Sequence, residues 1–364
     1  MLYWILYPLT SDFTGFNLVR YISFRTVFAA LTAFFVCVVI GPGIIRALKE
    51  KKFREPNESP DETLQKLRES KKDTPTMGGL IVLLAIVTSV VLFGRLDNLY
   101  VVLGLVTVIS FSLIGAADDW VKLTKPAHKG FKPRHKLFLQ CLVAAIVVTV
   151  LWRYTRGQAH LTELQLPLVK AWTFELGPFY ILLGFFVIVG SSNGVNFTDG
   201  MDGLAIGGVA MTGLTLLVIA YLVGRVDMSG FLNVIYVPGS GELTVFLGAV
   251  VGAGLGFLWF NCFPAQVFMG DTGSLALGAT LGYVAVVTRM EFALMIAGMM
   301  FVVDGLSVVL QIGSYRLTGK RLLPFAPISN LWIRRGQHEV KVTVRYWIVA
   351  ALMGALSLVL LKVR

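Results

Sequence analysis

Charged residues make up only 15% of this 364-residue chain, against about a quarter in soluble globular proteins, which excludes an ordinary water-soluble domain. The three cysteines, Cys37, Cys141 and Cys262, are scattered and odd in number, so neither a disulfide framework nor a thiolate metal site follows. Cys37 and Cys141 read as small buried hydrophobes. No convincing internal repeat is present, which counts against an inverted-repeat transporter. The first residues lack an early basic cluster and a small-residue cleavage pattern, so they do not read as a cleaved signal. Tyr3, Trp4 and Tyr7 instead suit the headgroup level, and residues 1–25 are expected to form an interfacial helix.

What the chain does have is apolar length. Hydrophobic residues account for 56% of it and fall into about ten runs near the ~20 residues that cross a bilayer. These lie near 26–46, 77–95, 99–117, 137–152, 177–195, 203–223, 243–260, 272–288, 291–313 and 344–362. The expected fold is an all-α integral membrane protein of about ten transmembrane helices, one polytopic domain over residues 1–364. The net charge of +11 is unevenly placed. Segments 47–76, 119–136 and 314–343 hold about twenty of the basic residues and the opposite connections about ten, which puts those three segments in the cytoplasm and both termini in the periplasm. Charge held in loops beside the membrane fits anionic lipid or an anionic substrate, and no nucleic-acid partner is expected.

Segment 47–74 has a helical stretch expected at 60–71. Pro324 and Pro327 rule out a continuous helix through 314–343, where an irregular or re-entrant element is expected. The outer connections 153–176 and 224–242 carry no acid-base constellation and are expected to be functionally quiet.

Five breaks between apolar runs fall on one side of the bilayer, and carboxylates there are costly enough to read first as a site. Asp118 and Asp119 end one run; both can be charged only if a cation or Lys122, one helical turn on, compensates them. The plain alternative is a solvated helix end. Asn193, Asn196, Asp199 and Asp202 recur every third residue, so a 3₁₀-like or broken helix would line them on one face, a donor set suited to Mg²⁺; the alternative is a polar turn. Gly270-Asp271-Thr272-Gly273-Ser274 opens an apolar helix whose free N–H groups and dipole would receive an anion. Asp271 fits there if a cation bridges the two, and Phe268 could stack on a base. Asp271 or Thr272 acting as an ordinary helix cap is the rival reading. Lys71 to Gly79 and the basic loop 129–136 add cations nearby, although ordinary positive-inside flanking charge explains the former, and a solvated charged face the latter, more simply. Asp304 and Gln311 share a helix face inside the ninth run, as a site or as a structural hydrogen bond.

The phrases TPTMGG (74–79), GAADDW (115–120), NGVNFTDGMDGLA (193–205) and FNCFPAQVFMGDTGSLALG (260–278) resemble those of the phospho-N-acetylmuramoyl-pentapeptide transferases, within the polyprenyl-phosphate N-acetylhexosamine-1-phosphate transferases. The resemblance runs from about residue 14 to the last residues, in order and at the expected spacing. It implies a multi-pass enzyme of the bacterial inner membrane with ten spans and a cytoplasmic-facing site. That enzyme would transfer phospho-MurNAc-pentapeptide from UDP-MurNAc-pentapeptide to undecaprenyl phosphate, giving lipid I and UMP with Mg²⁺. By match to the motifs, Asp118 and Asp119 take the place of the essential aspartate pair, and Asp271 that of the magnesium-binding aspartate, with Asn196 beside it. Lys71, Thr76, Asn196, Asp199, Asp202, Asn261, Phe268 and Gln311 fall at positions lining the nucleotide and diphosphate pocket. One of Asp118 and Asp119 would take the lipid phosphate's proton, or an aspartyl-phosphate would form. A homodimer is left open.

The chain departs from the family pattern after Ala326-Pro327-Ile328, where Ser329-Asn330-Leu331 replaces a run of three histidines; Asp304 also replaces a glutamate. Two alternatives therefore stand beside lipid I synthesis: a polyprenyl-phosphate GlcNAc-1-phosphate transferase, and a low-activity or silent homologue. A cation-coupled transporter using Asp118, Asp119 and Asp304 fits less well, since most carboxylates crowd one surface.

Overall fold

The computed structural model describes residues 1–11, 14–51, 71–124, 130–156, 162–165 and 173–362. Long helices dominate: α1 (Ile22–Glu50), α2 (Gly79–Phe93), α3 (Leu99–Thr124), α4 (Pro133–Thr155), α5 (Tyr180–Thr198), α6 (Leu204–Val223), α7 (Leu243–Asn261), α8 (Gly270–Thr288), α9 (Met299–Thr318) and α10 (Glu339–Leu360). Eight helical stretches among the described residues are long and apolar enough to cross a membrane. They are α1, α3, α4, α6, α9 and α10, together with α5 and α7 extended by their leading 3₁₀ turns. The other two expected runs also form helices, but α2 has only 15 residues and α8 is rich in Gly and Thr.

Packing sets the order of layers. Every residue of α8 is buried, so this helix forms the centre of the bundle. In α7, Gly248, Gly252 and Gly256 lie four apart and face Thr26, Ala30 and Phe34 of α1, where an added Cβ would strike main chain. Such small-residue stripes let apolar helices approach closely when lipid supplies no hydrophobic drive between them. The outward faces stay apolar: Leu31, Phe35 and Val39 of α1, Phe138 and Ile146 of α4, and Leu352 and Val359 of α10 are all exposed. A surface this greasy suits hydrocarbon rather than water.

Several local expectations are corrected. Residues 1–25 do not make one interfacial helix. A single turn at Leu2–Leu6 gives way to 3₁₀ segments at Tyr7–Ser11 and Thr14–Arg20 before α1 begins, because Pro8 cannot donate to a continuing helix. The run at 291–313 is two elements, a short helix Glu291–Ala297 and α9, broken at Gly298. Glu163–Gln165 and Thr173–Glu175 pair as a small antiparallel ribbon that no sequence signal announced. Between α9 and α10 the chain is irregular through Pro324 and Pro327, with one short helix at Ile328–Arg334. The helix expected at 60–71 lies outside the described residues apart from Lys71.

The two ends of the bundle differ. At one, Arg25 holds Glu242 through two 2.7 Å contacts with both side chains buried, and Tyr180 donates to Glu291. The other gathers the acidic and basic breaks.

Candidate active site

Asp118 and Asp119 sit one turn from the end of α3, and Asp271 begins α8. Gly115, one turn before the pair, is where these helices touch: a Cβ there would overlap the Asp271 carbonyl. The three carboxylates consequently offer oxygens all within 4.8 Å of one another, and all three residues are buried. Asp119 accepts the N–H groups of Asp271 and Thr272 at 3.3 and 2.9 Å and the Thr272 hydroxyl at 2.7 Å. The anion at the start of α8 is thus the chain's own Asp119, which corrects the expectation of free N–H groups awaiting a ligand. A carboxylate against those N–H groups is the favoured arrangement at the positive end of a helix dipole.

Two ammonium groups balance the acids. Lys122 Nζ lies 2.6 Å from Asp271 Oδ2, 3.0 Å from Asp118 and 3.5 Å from Asp119. Lys136 Nζ lies 2.7 Å from Asp271 Oδ2 and 3.6 Å from Asp118. Lys136 belongs to the loop whose charges read most simply as solvated, and for this residue that reading fails, because α4 starts at Pro133 and turns it inward. Asn196 donates to Asp271 Oδ1 at 2.6 Å and to Ser274 at 2.8 Å. Asp118 Oδ1 accepts the Phe131 N–H at 2.6 Å.

Asn193, Asn196, Asp199 and Asp202 do not share a face. α5 stays α-helical through Thr198, where each step of three residues falls about 60° short of a full turn. Asn193 therefore donates to Gln140 of α4 at 2.7 Å, while Asn196 reaches Asp271. Asp199 is half-buried in the following turn. Asp202 turns to a second cluster: Lys71 Nζ lies 2.6 Å from both Asp202 and Glu339, and Glu339 also accepts the Asp202 N–H at 2.7 Å. Nothing in the sequence singled out Glu339, which opens α10 far along the chain.

Asn261 fastens the neighbouring loop, accepting the Gly203 N–H at 3.1 Å and donating to the Val267 carbonyl at 2.9 Å. Phe268, half-buried, exchanges backbone hydrogen bonds with Pro75 and Gly78, each 2.8 Å, which brings Thr76 against Gly270 beside Asp119. The Thr76 hydroxyl is buried there without a hydrogen-bond partner. Gln311 is engaged elsewhere, with both ends of its amide on the backbone of Leu323. Asp304 is fully buried and accepts the Ser329 N–H at 3.0 Å.

Three hard-oxygen carboxylates beside an orphaned hydroxyl suit a divalent cation as donors. Asp271 Oδ2, now shared by Lys122 and Lys136, is the oxygen such an ion would draw upon.

Comparison with known proteins decides among the readings. The model for glycosyl transferase family 4 matches residues 99–289. The signature described as phospho-N-acetylmuramoyl-pentapeptide-transferase signature 1 matches residues 71–83. Proteins named phospho-N-acetylmuramoyl-pentapeptide-transferase from Citrifermentans bemidjiense and Thermodesulfovibrio yellowstonii are each 44% identical to the chain, over 366 and 367 residues. One from Nitratidesulfovibrio vulgaris is 45% identical over 365 residues. Each alignment covers all of both chains. The chain belongs to the phospho-N-acetylmuramoyl-pentapeptide-transferase family.

Within the family frame, the signature at 71–83 contains Lys71, Thr76 and the start of α2, and the longer match contains every carboxylate of the three-aspartate cluster. The altered segment 329–331 lies outside both matched ranges.

Proposed function

We propose that this chain transfers phospho-MurNAc-pentapeptide from its UDP carrier to undecaprenyl phosphate, forming lipid I and UMP for peptidoglycan synthesis. The observation that carries the reading is the Asp118–Asp119–Asp271 cluster, set in a chain alignable end to end with proteins bearing that name. The GlcNAc-1-phosphate alternative is not favoured by those relatives. A transporter relay is disfavoured by the gathering of Asp118, Asp119 and Asp271 at one end of the bundle.

In this proposal the chain crosses a bacterial inner membrane about ten times as one domain, both termini periplasmic and the acid cluster at the cytoplasmic boundary. Asp271 and Asn196 would hold Mg²⁺. Bound there, the ion would supply positive charge to offset that of the diphosphate and of UMP. Asp118 is the better placed of the aspartate pair to take the proton of the lipid phosphate, because Asp119 is committed to the start of α8. The acceptor's phosphate oxygen forms a bond to the sugar-bearing phosphorus as the anhydride bond to UMP breaks. Lys71, Asp202, Asn261 and Phe268 shape the nucleotide side, and Thr76 offers its unused hydroxyl to the diphosphate.

The test supplies purified protein with undecaprenyl phosphate and either UDP-MurNAc-pentapeptide or UDP-GlcNAc, and follows UMP release. UMP is expected with the first donor only, and with neither in Asp271→Asn. Release from UDP-GlcNAc alone, or wild-type turnover in Asp271→Asn, would overturn the reading.

A further inference from the structure

At the end of the bundle away from the acid cluster, Arg289 occupies a position where a helix usually places glycine. It follows α8 directly with a φ of 61°, in the left-handed region that disfavours side chains. Eighteen residues separate it from Asp271, about 27 Å along the helix axis, close to the thickness of a bilayer core. The residue is only 3% exposed, and its Nε and Nη1 have no hydrogen-bond partner. Its guanidinium lies 4.0 Å from the Tyr180 ring centroid. Glu291, two residues on, takes the Tyr180 hydroxyl and acts on Arg289 as a nearby opposite charge, although no direct ion pair joins the two among the described residues. A buried guanidinium with two nitrogens left unpaired is costly even so, and the aromatic ring offsets only part of that cost.

Arg289 lines an open-mouthed cleft with about 30 Å³ of water-accessible space. The remaining wall is mostly apolar, with Phe292, Ile296, Leu360 and Leu361 prominent. The polar groups beside it are already engaged: Ser357 donates to Ala293 at 3.0 Å, and Gln165 donates to Asn233 at 3.3 Å. A guanidinium with two unpaired nitrogens beside a greasy wall, at a bilayer boundary, describes a receptor for an amphiphile with an anionic head.

We propose that this cleft binds an anionic phospholipid, its headgroup phosphate meeting Arg289 and an acyl chain lying along Phe292, Ile296 and Leu360. The site is separate from the transfer site, and the lipid acts as a structural ligand of the outer half of the bundle.

The experiment uses the full-length protein in detergent and titrates in phosphatidylglycerol, phosphatidylcholine or inorganic phosphate. Retained lipid is counted by native mass spectrometry, and thermal unfolding is followed in parallel. Wild type should retain one phosphatidylglycerol and unfold at a higher temperature with it. Arg289→Gln should weaken that binding about tenfold or more and lose the lipid-dependent rise, whereas Arg289→Lys should keep most of both. Should Arg289→Gln fail to fold, Ile296→Trp fills the cleft without touching the guanidinium and should also expel the lipid. Equal retention by wild type and Ile296→Trp, or by wild type and a folded Arg289→Gln, overturns the proposal. So does the absence of phosphatidylglycerol binding in wild type. Stabilisation by inorganic phosphate as strong as by phosphatidylglycerol would assign the site to a free anion and overturn the lipid.

Discussion

Asp119 of α3 receives the backbone N–H of Thr272 at 2.9 Å, so a carboxylate from one helix closes the start of the helix that carries Asp271. Adjacent aspartates thereby acquire different tasks. Asp119 spends its oxygens on holding α8, while Asp118 accepts the Phe131 N–H and faces Lys122 and Lys136.

This division predicts different losses for the two. Asp119→Ala should unfold at a lower temperature, with a destabilisation on the order of 2 to 3 kcal/mol, because hydrogen bonds to a charged group are lost from a buried helix start. Asp118→Asn should unfold like wild type yet release almost no UMP. Thermal unfolding and UMP release on the same preparations separate the two, and equal stability losses would refute the division.

Lys136 shares Asp271 Oδ2 with Lys122, so any divalent cation must compete with an ammonium group for that oxygen. In Lys136→Gln the competition eases. Its apparent Mg²⁺ affinity should tighten, while the maximal rate falls about ten- to a hundredfold through loss of a positive charge near the reacting phosphates. A Mg²⁺ titration of initial rates reads both effects. An unchanged Mg²⁺ dependence would show that Lys136 does not contend for the ion's position.

Gly115 and Gly190 form a matched pair. A methyl group at Gly115 meets the backbone of Asp271 and Thr272, whereas one at Gly190 meets nothing within 4 Å. Gly115→Ala should force α3 from α8, costing about 1 to 3 kcal/mol. Displacement of the aspartates by an ångström should lower turnover about a hundredfold. Gly190→Ala should match wild type. Activity retained in Gly115→Ala would mean that the contact can yield without moving the carboxylates.

The histidine run of the family can be restored one position at a time. Ser329 is 2% exposed and tied to Asp304, so Ser329→His overfills its site and should cost about 1 to 3 kcal/mol. Asn330 is half-buried, and Asn330→His should fold normally. Unfolding midpoints of the two variants test this, and an equally stable Ser329→His would contradict the packing argument.

Much of the architecture was legible because hydrocarbon imposes length and composition on each span. The aspartate pair and Asp271 could be found because charge at a membrane boundary is costly enough to stand out. Other features depend on rotation and distance, which local spacing does not carry. The every-third-residue pattern from Asn193 to Asp202 suggested one face, yet an α-helix and its terminal turn send those groups to different partners. Lys136 looked like any solvated lysine until the start of α4 turned it inward. Glu339 meets Lys71 across 268 residues of sequence, and no pattern nearby marks it. The start of α8 had the features of an anion receptor, but only the fold could disclose that Asp119 fills it.

Because α8 has no face free of neighbours, the helix bearing Asp271 cannot swing to meet a substrate. Adaptation to substrate falls to the loops around it, and the end carrying Asp271 is rigid from the outset. A substitution deep in α8, even near the opposite leaflet, should be transmitted along the helix to Asp271. Variants escaping an inhibitor of this site should therefore arise in the loops rather than along that central post.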